Sequence, residues 1–324
     1  MSKREKLTKI NLYDKLNAAF VSLINPEMPG LNKLRKQNGY DKNKPTLEKP
    51  FLMEFEDFSL NGTKIRIAKS ITDPAKPTIL FLSAFPHSIL AYSPVWNLLK
   101  KDFNLFAYDM PGFGNSETKE EYMTFKFQGE FLKIFLEKFG IGDSHIVAPD
   151  VGMASALSYV CNHSNKVKSL MIGDGPGVFS SEDPSMMKKM TKSGFWRFMF
   201  VVAGSGALTA SAQNICNIKY VPNKYEVSDF KNAYKGKVSN SMKWFKGYES
   251  SIPDIDAKLS TIEIPTKIFW GEHDAILFKE NGMKLNEKIL NSKLEIFENA
   301  GHFVYQDDYK KFAKMVHHWV NKHN

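Results

Sequence analysis

Cysteine is scarce in this chain, which contains only Cys161 and Cys216 among its 324 residues. Two cysteines do not make a disulfide framework, and neither of them lies in a cluster with the spacing of metal ligands. The class of small secreted scaffolds held by disulfides is therefore excluded, and we expect a reducing, cytoplasmic compartment.

Long apolar segments are also missing. The run from Ala18 to Ile24 is interrupted by Ser22, and no later stretch approaches the roughly 18 uninterrupted apolar residues of a membrane span. Tracts rich in proline or glycine and internal repeats are absent as well, while 43% of the residues are hydrophobic. These features predict a globular protein with a sizeable core and no stable membrane insertion.

Positive charge is concentrated at the beginning of the chain. Residues 1–50 carry eleven Lys and Arg against five Asp and Glu, which is most of the net charge of +9. Aromatic residues are not interleaved with these charges as a nucleic-acid surface requires, so we expect no nucleic-acid partner. We interpret the region as a basic N-terminal extension, with an amphipathic helix near Leu12–Leu23 followed by a linker.

Apolar segments typical of strands alternate with helical segments through most of the remaining sequence. Asn61-Gly62 indicates a hairpin, and 78–82, 104–108, 145–149, 167–172, 266–270 and 294–297 are the later candidate strands. This alternation predicts an α/β fold with a doubly wound, mostly parallel sheet. The segment rich in Met, Phe and Tyr between them predicts a helical cap over the carboxyl ends of the strands, where ligands bind in such sheets. We therefore expect a core at 51–175 and 260–324, with the cap at 176–259.

Asp150 occupies a position where a nucleophile is expected. Ala148-Pro-Asp150-Val-Gly152 follows an apolar strand and precedes a helix of small residues, which is the strand–turn–helix context of a nucleophile elbow. A carboxylate at this position is able to displace a leaving group from saturated carbon and form an alkyl ester. Water must then hydrolyse that ester, so the chemistry requires a downstream base.

Two further residues complete a predicted triad. Asp274 follows the strand at 266–270 and His302 follows the strand at 294–297, in the chain order nucleophile, acid, histidine. We expect His302 to deprotonate the water and Asp274 to orient the imidazole. Asp174, after the strand at 167–172, is the alternative acid. Backbone N–H groups of Phe85 and Val151 are the candidate oxyanion donors.

These residues resemble the epoxide hydrolase and haloalkane dehalogenase branch of the α/β-hydrolases. The stretches at 83–86, 109–116, 148–152 and 300–304 carry the resemblance, which implies an aspartate nucleophile and neither a metal nor an organic cofactor. The chain departs from the family pattern at Ser83-Ala84, where His-Gly is usual. It also departs at Val151 and Phe85, where dehalogenases carry halide donors.

The departures favour an epoxide hydrolase-like enzyme acting on a small to medium apolar substrate. Such an enzyme needs acidic O–H groups from the cap, and Phe245 stands where the family has a tyrosine. A haloalkane dehalogenase-like hydrolase and a non-catalytic ligand-binding protein are the alternatives. We expect a monomer or homodimer. The candidate substrate-binding residues of the cap are Trp196, Tyr220, Tyr225, Tyr234, Trp244, Phe245 and Tyr248.

Overall fold

A computed structural model describes residues 7–23, 25–163, 167–176 and 186–324. Within them, one sheet contains eight strands. The strands are β1 (Phe55–Leu60), β2 (Thr63–Ser70), β3 (Thr78–Leu82), β4 (Asn104–Tyr108), β5 (His145–Pro149), β6 (Ser169–Gly173), β7 (Thr266–Gly271) and β8 (Ser292–Phe297). The helices are α1 (Leu12–Leu23), α2 (Met28–Gln37), α3 (Ser93–Leu99), α4 (Phe125–Phe139), α5 (Val151–Asn162), α6 (Met186–Lys192), α7 (Gly194–Ile215), α8 (Lys224–Ala233), α9 (Val238–Lys243), α10 (Tyr248–Asp256), α11 (Glu280–Lys288), α12 (Val304–Asp307) and α13 (Tyr309–His323).

The sheet is mostly parallel, as its sequence pattern predicts. Its strand order is β1-β2-β4-β3-β5-β6-β7-β8, and only the pairings of β2 with β1 and β4 are antiparallel. The turn between β1 and β2 takes positive φ at Asn61 (50°) and Gly62 (77°), which suits the expected two-residue hairpin. The predicted α/β fold class is confirmed.

Hydrophobic side chains fill both faces of this sheet. Every residue of β4, β5 and β6 is buried, which is expected of parallel strands covered by helices on each side. Because β3 and β5 to β8 run parallel, their carboxyl ends meet at one edge of the sheet. Loops that follow those ends are thereby brought close together.

The described residues between β6 and β7 form helices, α6 to α10, with no strand among them. Residues 177–185, at the start of the predicted cap, lie outside the described residues. The long helix α7 is interrupted at Gly204, whose φ of 80° and ψ of 179° are not helical. A glycine adopts this conformation without the steric cost that a side chain would add. The two halves of α7 therefore take different directions across the cap.

The N-terminal extension packs on the cap instead of forming a free arm. Helix α1 lies against α7, and the close approach is at Gly206, where an added Cβ atom would come within 2.3 Å of the Asp14 carboxylate. Asp14 is buried and its Oδ2 accepts a hydrogen bond from Lys231 Nζ of α8 at 2.7 Å. Among the residues described, no helix combines the length and the apolarity that a membrane span needs.

Candidate active site

Asp150 lies in a strained turn between β5 and α5. Its φ of 48° and ψ of −126° are unusual for a residue with a side chain, and this backbone directs the carboxylate away from the sheet. The turn is tight because Gly152 packs on the neighbouring strand, where an added Cβ would come within 3.0 Å of Leu82 Cβ. The sequence permits this turn because small residues, Ala148 and Gly152, lie two positions before and after Asp150.

His302 and Asp274 form a hydrogen-bonded pair next to Asp150. His302 Nδ1 lies 2.8 Å from Asp274 Oδ2, and His302 Nε2 lies 3.7 Å from Asp150 Oδ1. The backbone N–H groups of Ile276 and Leu277 donate to Asp274 Oδ1, which fixes the orientation of this carboxylate. The imidazole thus presents one nitrogen to its acid and the other to the candidate nucleophile.

The Phe85 N–H donates a hydrogen bond to Asp150 Oδ2 at 2.5 Å. Val151, the first residue of α5, is buried beside the nucleophile, and N–H groups in the first turn of a helix have no acceptor within the helix. Of the two candidate oxyanion donors, the Phe85 N–H contacts the carboxylate directly, and the Val151 N–H belongs to the residue that follows Asp150.

The electrostatics of the site separate the two candidate acids. Burial and the charge of Asp274 raise the pKa of Asp174 well above its usual value. Asp174 Oδ1 accepts from the Gly271 N–H at 2.9 Å, and its Oδ2 has no hydrogen-bond partner among the described residues. Asp274 contacts His302 directly, whereas burial favours the neutral form of Asp174, whose Oδ1 accepts from the backbone of Gly271. The structure thus brings Asp150, His302 and Asp274 together and leaves Asp174 as a neighbour.

The pKa values of the two buried histidines near Asp150 shift in opposite directions. Burial alone lowers the pKa of the His302 imidazole, but the carboxylates of Asp274 and Asp150 outweigh this and raise the pKa well above its usual value. Burial and the charge of His302 lower the pKa of His87, in the loop after β3, to about 3. The surroundings therefore favour the protonated form of His302 and the neutral form of His87.

The chain matches the family model described as the α/β hydrolase fold over residues 77–309. This match spans most of the chain and includes Asp150, Asp274 and His302. The protein belongs to the α/β hydrolase fold family. Its sheet order and the turn between β5 and α5 agree with this membership.

Known proteins resemble this α/β hydrolase at low identity. The Xenopus laevis protein named monoacylglycerol lipase abhd6-B is 23% identical over 256 residues, which is 74% of each chain. The crystal structure of haloalkane dehalogenase DbeA from Bradyrhizobium elkani superposes with a TM-score of 0.71 at 15% identity, over 84% of this chain and 98% of that one. The crystal structure of epoxide hydrolase VrEH1 from Vigna radiata superposes with a TM-score of 0.67 at 15% identity, over 83% of this chain and 98% of that one. At these identities the two structures show the shared fold.

An apolar cavity of about 90 Å³ opens above Asp150 and His302 in this hydrolase. Phe85 and Phe245 form part of its wall, and so do Met187, Met190, Phe200, Leu208 and Met242 from the cap. Such a lining suits an apolar ligand, because few polar groups are available to compensate desolvation of a charged one.

The expectation that a cap tyrosine hydroxyl faces this cavity is corrected by the packing. Tyr220 donates to Glu226 Oε1, Tyr234 donates to the His87 carbonyl, and Tyr248 accepts from Trp244 Nε1. Tyr225 is exposed. None of the four lines the cavity.

The two tryptophans are also placed away from the cavity. Trp244 is fully buried and stacks on Phe125 at 4.7 Å between ring centroids, with its N–H committed to Tyr248. Trp196 lines an adjacent groove instead. Of the seven candidate substrate-binding residues, Phe245 alone lies on the cavity wall as described.

Most residues of the cavity wall were not among the candidates from the sequence, and three of them bear on the chemistry or on the N-terminal extension. Ser211 lies in the second half of α7, Cys216 directly follows that helix, and Val21 comes from α1. Ser211 Oγ is buried and finds no hydrogen-bond partner in the described part of the chain. Burial raises the pKa of Cys216 well above its usual value, so this side chain is a thiol. The helical pattern of α7 indicates a buried face, but no local signal shows that this face meets Asp150.

Proposed function

We propose that this protein is an epoxide hydrolase-like enzyme that acts through an alkyl ester on Asp150. One observation carries the proposal: a carboxylate, held by the Phe85 N–H and faced by the His302–Asp274 pair, lies at the base of an apolar cavity. Serine at this position would give acyl transfer, whereas a carboxylate gives displacement at saturated carbon.

In the first step, one Asp150 oxygen attacks a ring carbon and the bond from that carbon to the ring oxygen breaks. The ring oxygen departs on the side opposite to the nucleophile, toward the cap wall. Ser211 supplies the unpaired hydroxyl of that wall and donates a hydrogen bond to the departing oxygen. The departing oxygen takes up one proton from solvent water in the cavity, so this step does not depend on His302.

In the second step, neutral His302 removes a proton from a water molecule that attacks the Asp150 carboxyl carbon. The N–H groups of Phe85 and Val151 stabilise the oxyanion, and Asp274 stabilises the imidazolium. The carbon–oxygen bond between the carboxyl group and the alkyl group then breaks, and the imidazolium of His302 protonates the departing alkoxide, which releases a diol. Asp150 is left as a carboxylic acid and loses its proton to solvent, which balances the proton taken up in the first step. The cycle thus consumes one epoxide and one water.

The leaving group favours an epoxide over a halide. A departing halide is stabilised by N–H donors, and the described cavity wall contains neither an indole nor a side-chain amide. The only polar side chains on that wall besides Asp150 and His302 are those of Ser211 and Cys216. The Ser211 hydroxyl is suited to donate a hydrogen bond to the epoxide oxygen as the ring opens.

The likeness to a protein named monoacylglycerol lipase suggests a long apolar substrate rather than the same reaction. An apolar cavity would hold an acyl or alkyl chain equally well. Ester cleavage by acyl transfer needs a hydroxyl at the elbow, and position 150 is a carboxylate. We therefore place this protein's substrate among lipophilic epoxides.

The test traps the ester. His302→Gln removes the base but leaves Asp150 free to react, so incubation with terminal epoxides should raise the intact mass by the mass of one epoxide. The adduct should map to the peptide that contains Asp150. Bromoalkanes of matched chain length serve as the comparison, and the double variant Asp150→Asn/His302→Gln serves as the control.

The outcomes separate the candidate functions. An adduct from epoxides that is absent in the double variant supports the proposal. An adduct from bromoalkanes alone would make the enzyme haloalkane dehalogenase-like and overturn the epoxide assignment. An adduct on any residue other than Asp150 would refute the assignment of Asp150 as the nucleophile. If neither class reacts, a non-catalytic ligand-binding protein becomes the better description.

A further inference from the structure

Helix α1 has its large apolar side chains on the outside. Leu12, Leu16, Phe20 and Leu23, spaced at three or four residues, are between 49% and 84% exposed. The side of α1 that faces the protein holds the Asp14 carboxylate and Ala18 instead. Monomeric soluble proteins rarely expose a contiguous stripe of this kind, so a stripe of large apolar residues indicates a binding surface.

A second exposed stripe lies beside the first on the N-terminal half of α7. Phe195, Phe198 and Val202 are between 54% and 62% exposed. Tyr13, itself exposed, bridges the two helices because its hydroxyl donates to the Val202 carbonyl at 3.5 Å. We call the surface formed by the exposed side chains of these two helices the apolar face; its members are Leu12, Tyr13, Leu16, Phe20, Leu23, Phe195, Phe198 and Val202.

The charges around the apolar face are positive. Lys15 on α1 and Lys192 at the end of α6 are exposed, and Lys189 extends over the Trp196 ring. Helices α6 and α7 contain no Asp or Glu. The one carboxylate of α1, Asp14, is buried and paired with Lys231. The face therefore combines apolar side chains with cations and presents no exposed carboxylate of these three helices.

A groove borders the apolar face and adjoins the catalytic cavity. Phe20, exposed on the face, also lines this groove between α1 and α7, together with Trp196 and Met199. Three further residues of the groove, Val21, Phe200 and Ser211, are shared with the cavity that contains Asp150 and His302. The wall between the face and the nucleophile is thus mostly apolar, and its polar side chains among the described residues are those of Asn17 and Ser211.

We propose that the apolar face docks on bilayers that contain anionic phospholipids. Apolar side chains of an interfacial helix enter the boundary between headgroups and acyl chains, while lysines at its edge are attracted to anionic headgroups. The groove then delivers lipophilic substrate from the bilayer to Asp150. This second half rests on the proposed function, whereas the docking itself does not.

The experiment measures co-flotation of the full chain with vesicles. Vesicles of phosphatidylcholine mixed with phosphatidylglycerol should carry the protein, and vesicles of phosphatidylcholine alone should carry much less. The double variant Leu16→Gln/Phe198→Gln should lower binding at least about tenfold, because each change removes an inserted apolar side chain. Lys189→Gln/Lys192→Gln should lower it about fivefold per lysine, since each lysine near an anionic surface contributes roughly 1 kcal/mol.

The control variant changes two exposed apolar residues, as the Leu16/Phe198 variant does, but at positions outside the apolar face. Leu52→Gln/Leu290→Gln alters two leucines that are 74% and 81% exposed on other elements, and its binding should equal that of the unchanged protein. Asp150→Asn should also bind vesicles normally, which separates docking from catalysis. Each surface variant should still form the trapped ester with a short soluble epoxide when combined with His302→Gln.

Three results would overturn the proposal. One is the absence of binding to anionic vesicles by a protein that still forms the ester. Another is equal loss of binding in the Leu52/Leu290 control and in the Leu16/Phe198 variant. The third is a concentration-dependent dimer that the Leu16/Phe198 variant makes monomeric without any vesicle binding, because a second copy of the chain would then be the occupant of the face. Vesicle binding without any ester formation would refute the proposed function and leave docking intact.

Discussion

The orientation of the Asp150 carboxylate and its electrostatic surroundings have separate causes. The left-handed φ of 48° orients the side chain, and the Phe85 N–H and the pair of His302 with Asp274 set its electrostatic surroundings. The two other carboxyl groups near His302, those of Asp274 and Asp174, have different environments. Asp274 accepts two backbone N–H bonds and contacts the imidazole, while Asp174 is buried with a raised pKa.

Substitution of Asp274 or of Asp174 by asparagine should therefore change the rate of ester hydrolysis to very different extents. Asp274→Asn removes the negative charge next to His302 and should slow hydrolysis of the Asp150 ester by about 10³-fold or more. Asp174→Asn replaces a carboxyl group whose pKa is raised by burial with a neutral group of the same shape that still accepts from the Gly271 N–H, so the rate should change less than about threefold. Single-turnover hydrolysis of the ester measures both. A larger loss in Asp174→Asn would reverse the assignment of the acid.

Hydrolysis of the ester should depend on pH through His302. Burial opposes the charge on His302, but Asp274 and Asp150 raise its pKa above the usual 6.5, and Asp274 keeps its charge when Asp150 is esterified. Below that pKa the imidazole is protonated and cannot accept a proton from water. The rate should therefore rise with pH across the neutral range and level off above it.

Rapid-quench mass spectrometry of the ester at a series of pH values checks this dependence. In Asp274→Asn the rising limb should move to lower pH, because the carboxylate that contributes most to raising the pKa is gone. A profile that is flat across neutral pH in the unchanged protein would show that His302 is not the base.

At the scale of elements, the wall of the site is assembled from distant parts of the chain. Helix α1 begins and ends at the residues predicted from its local pattern, Leu12 and Leu23. Its role is not visible in that pattern, because its partner α7 lies far along the chain and the contact depends on Gly206. The extension was interpreted as an amphipathic helix and a linker, yet it supplies Val21 to the catalytic cavity.

Gly206→Ala should loosen the docking of α1. The added methyl group would lie 2.3 Å from the buried Asp14 carboxylate, so the pair with Lys231 must shift. Overpacking of this kind costs about 1–3 kcal/mol, which exceeds the gain of about 1 kcal/mol in helix propensity. Urea denaturation should show a net loss of stability.

Gly194→Ala is the matched control on the same helix. An added Cβ there would meet only Arg197, at 3.8 Å, so the substitution should be neutral or slightly stabilising. Equal stabilisation of both variants would mean that α1 does not pack on Gly206.

At the scale of the whole molecule, the sheet was predictable and the cavity was not. Continuous apolar runs located β3 and β4 at their observed bounds, since parallel strands buried on both faces have this composition. The proximity of Asp150, Asp274 and His302 was predictable because each lies in the segment that follows a strand. The cap residues were not, because whether Tyr248 points into the cavity or binds Trp244 is decided by long-range packing. Ser211 has no sequence signature at all.

The ion pair of Asp14 with Lys231 joins segments that the ribosome produces at very different times. These residues are 217 positions apart, so α1 leaves the ribosome before the sheet exists and long before α7 and α8 are made. Because Val21 of α1 lines the cavity, the wall near Asp150 is completed only when this helix packs against α7, which is synthesised much later.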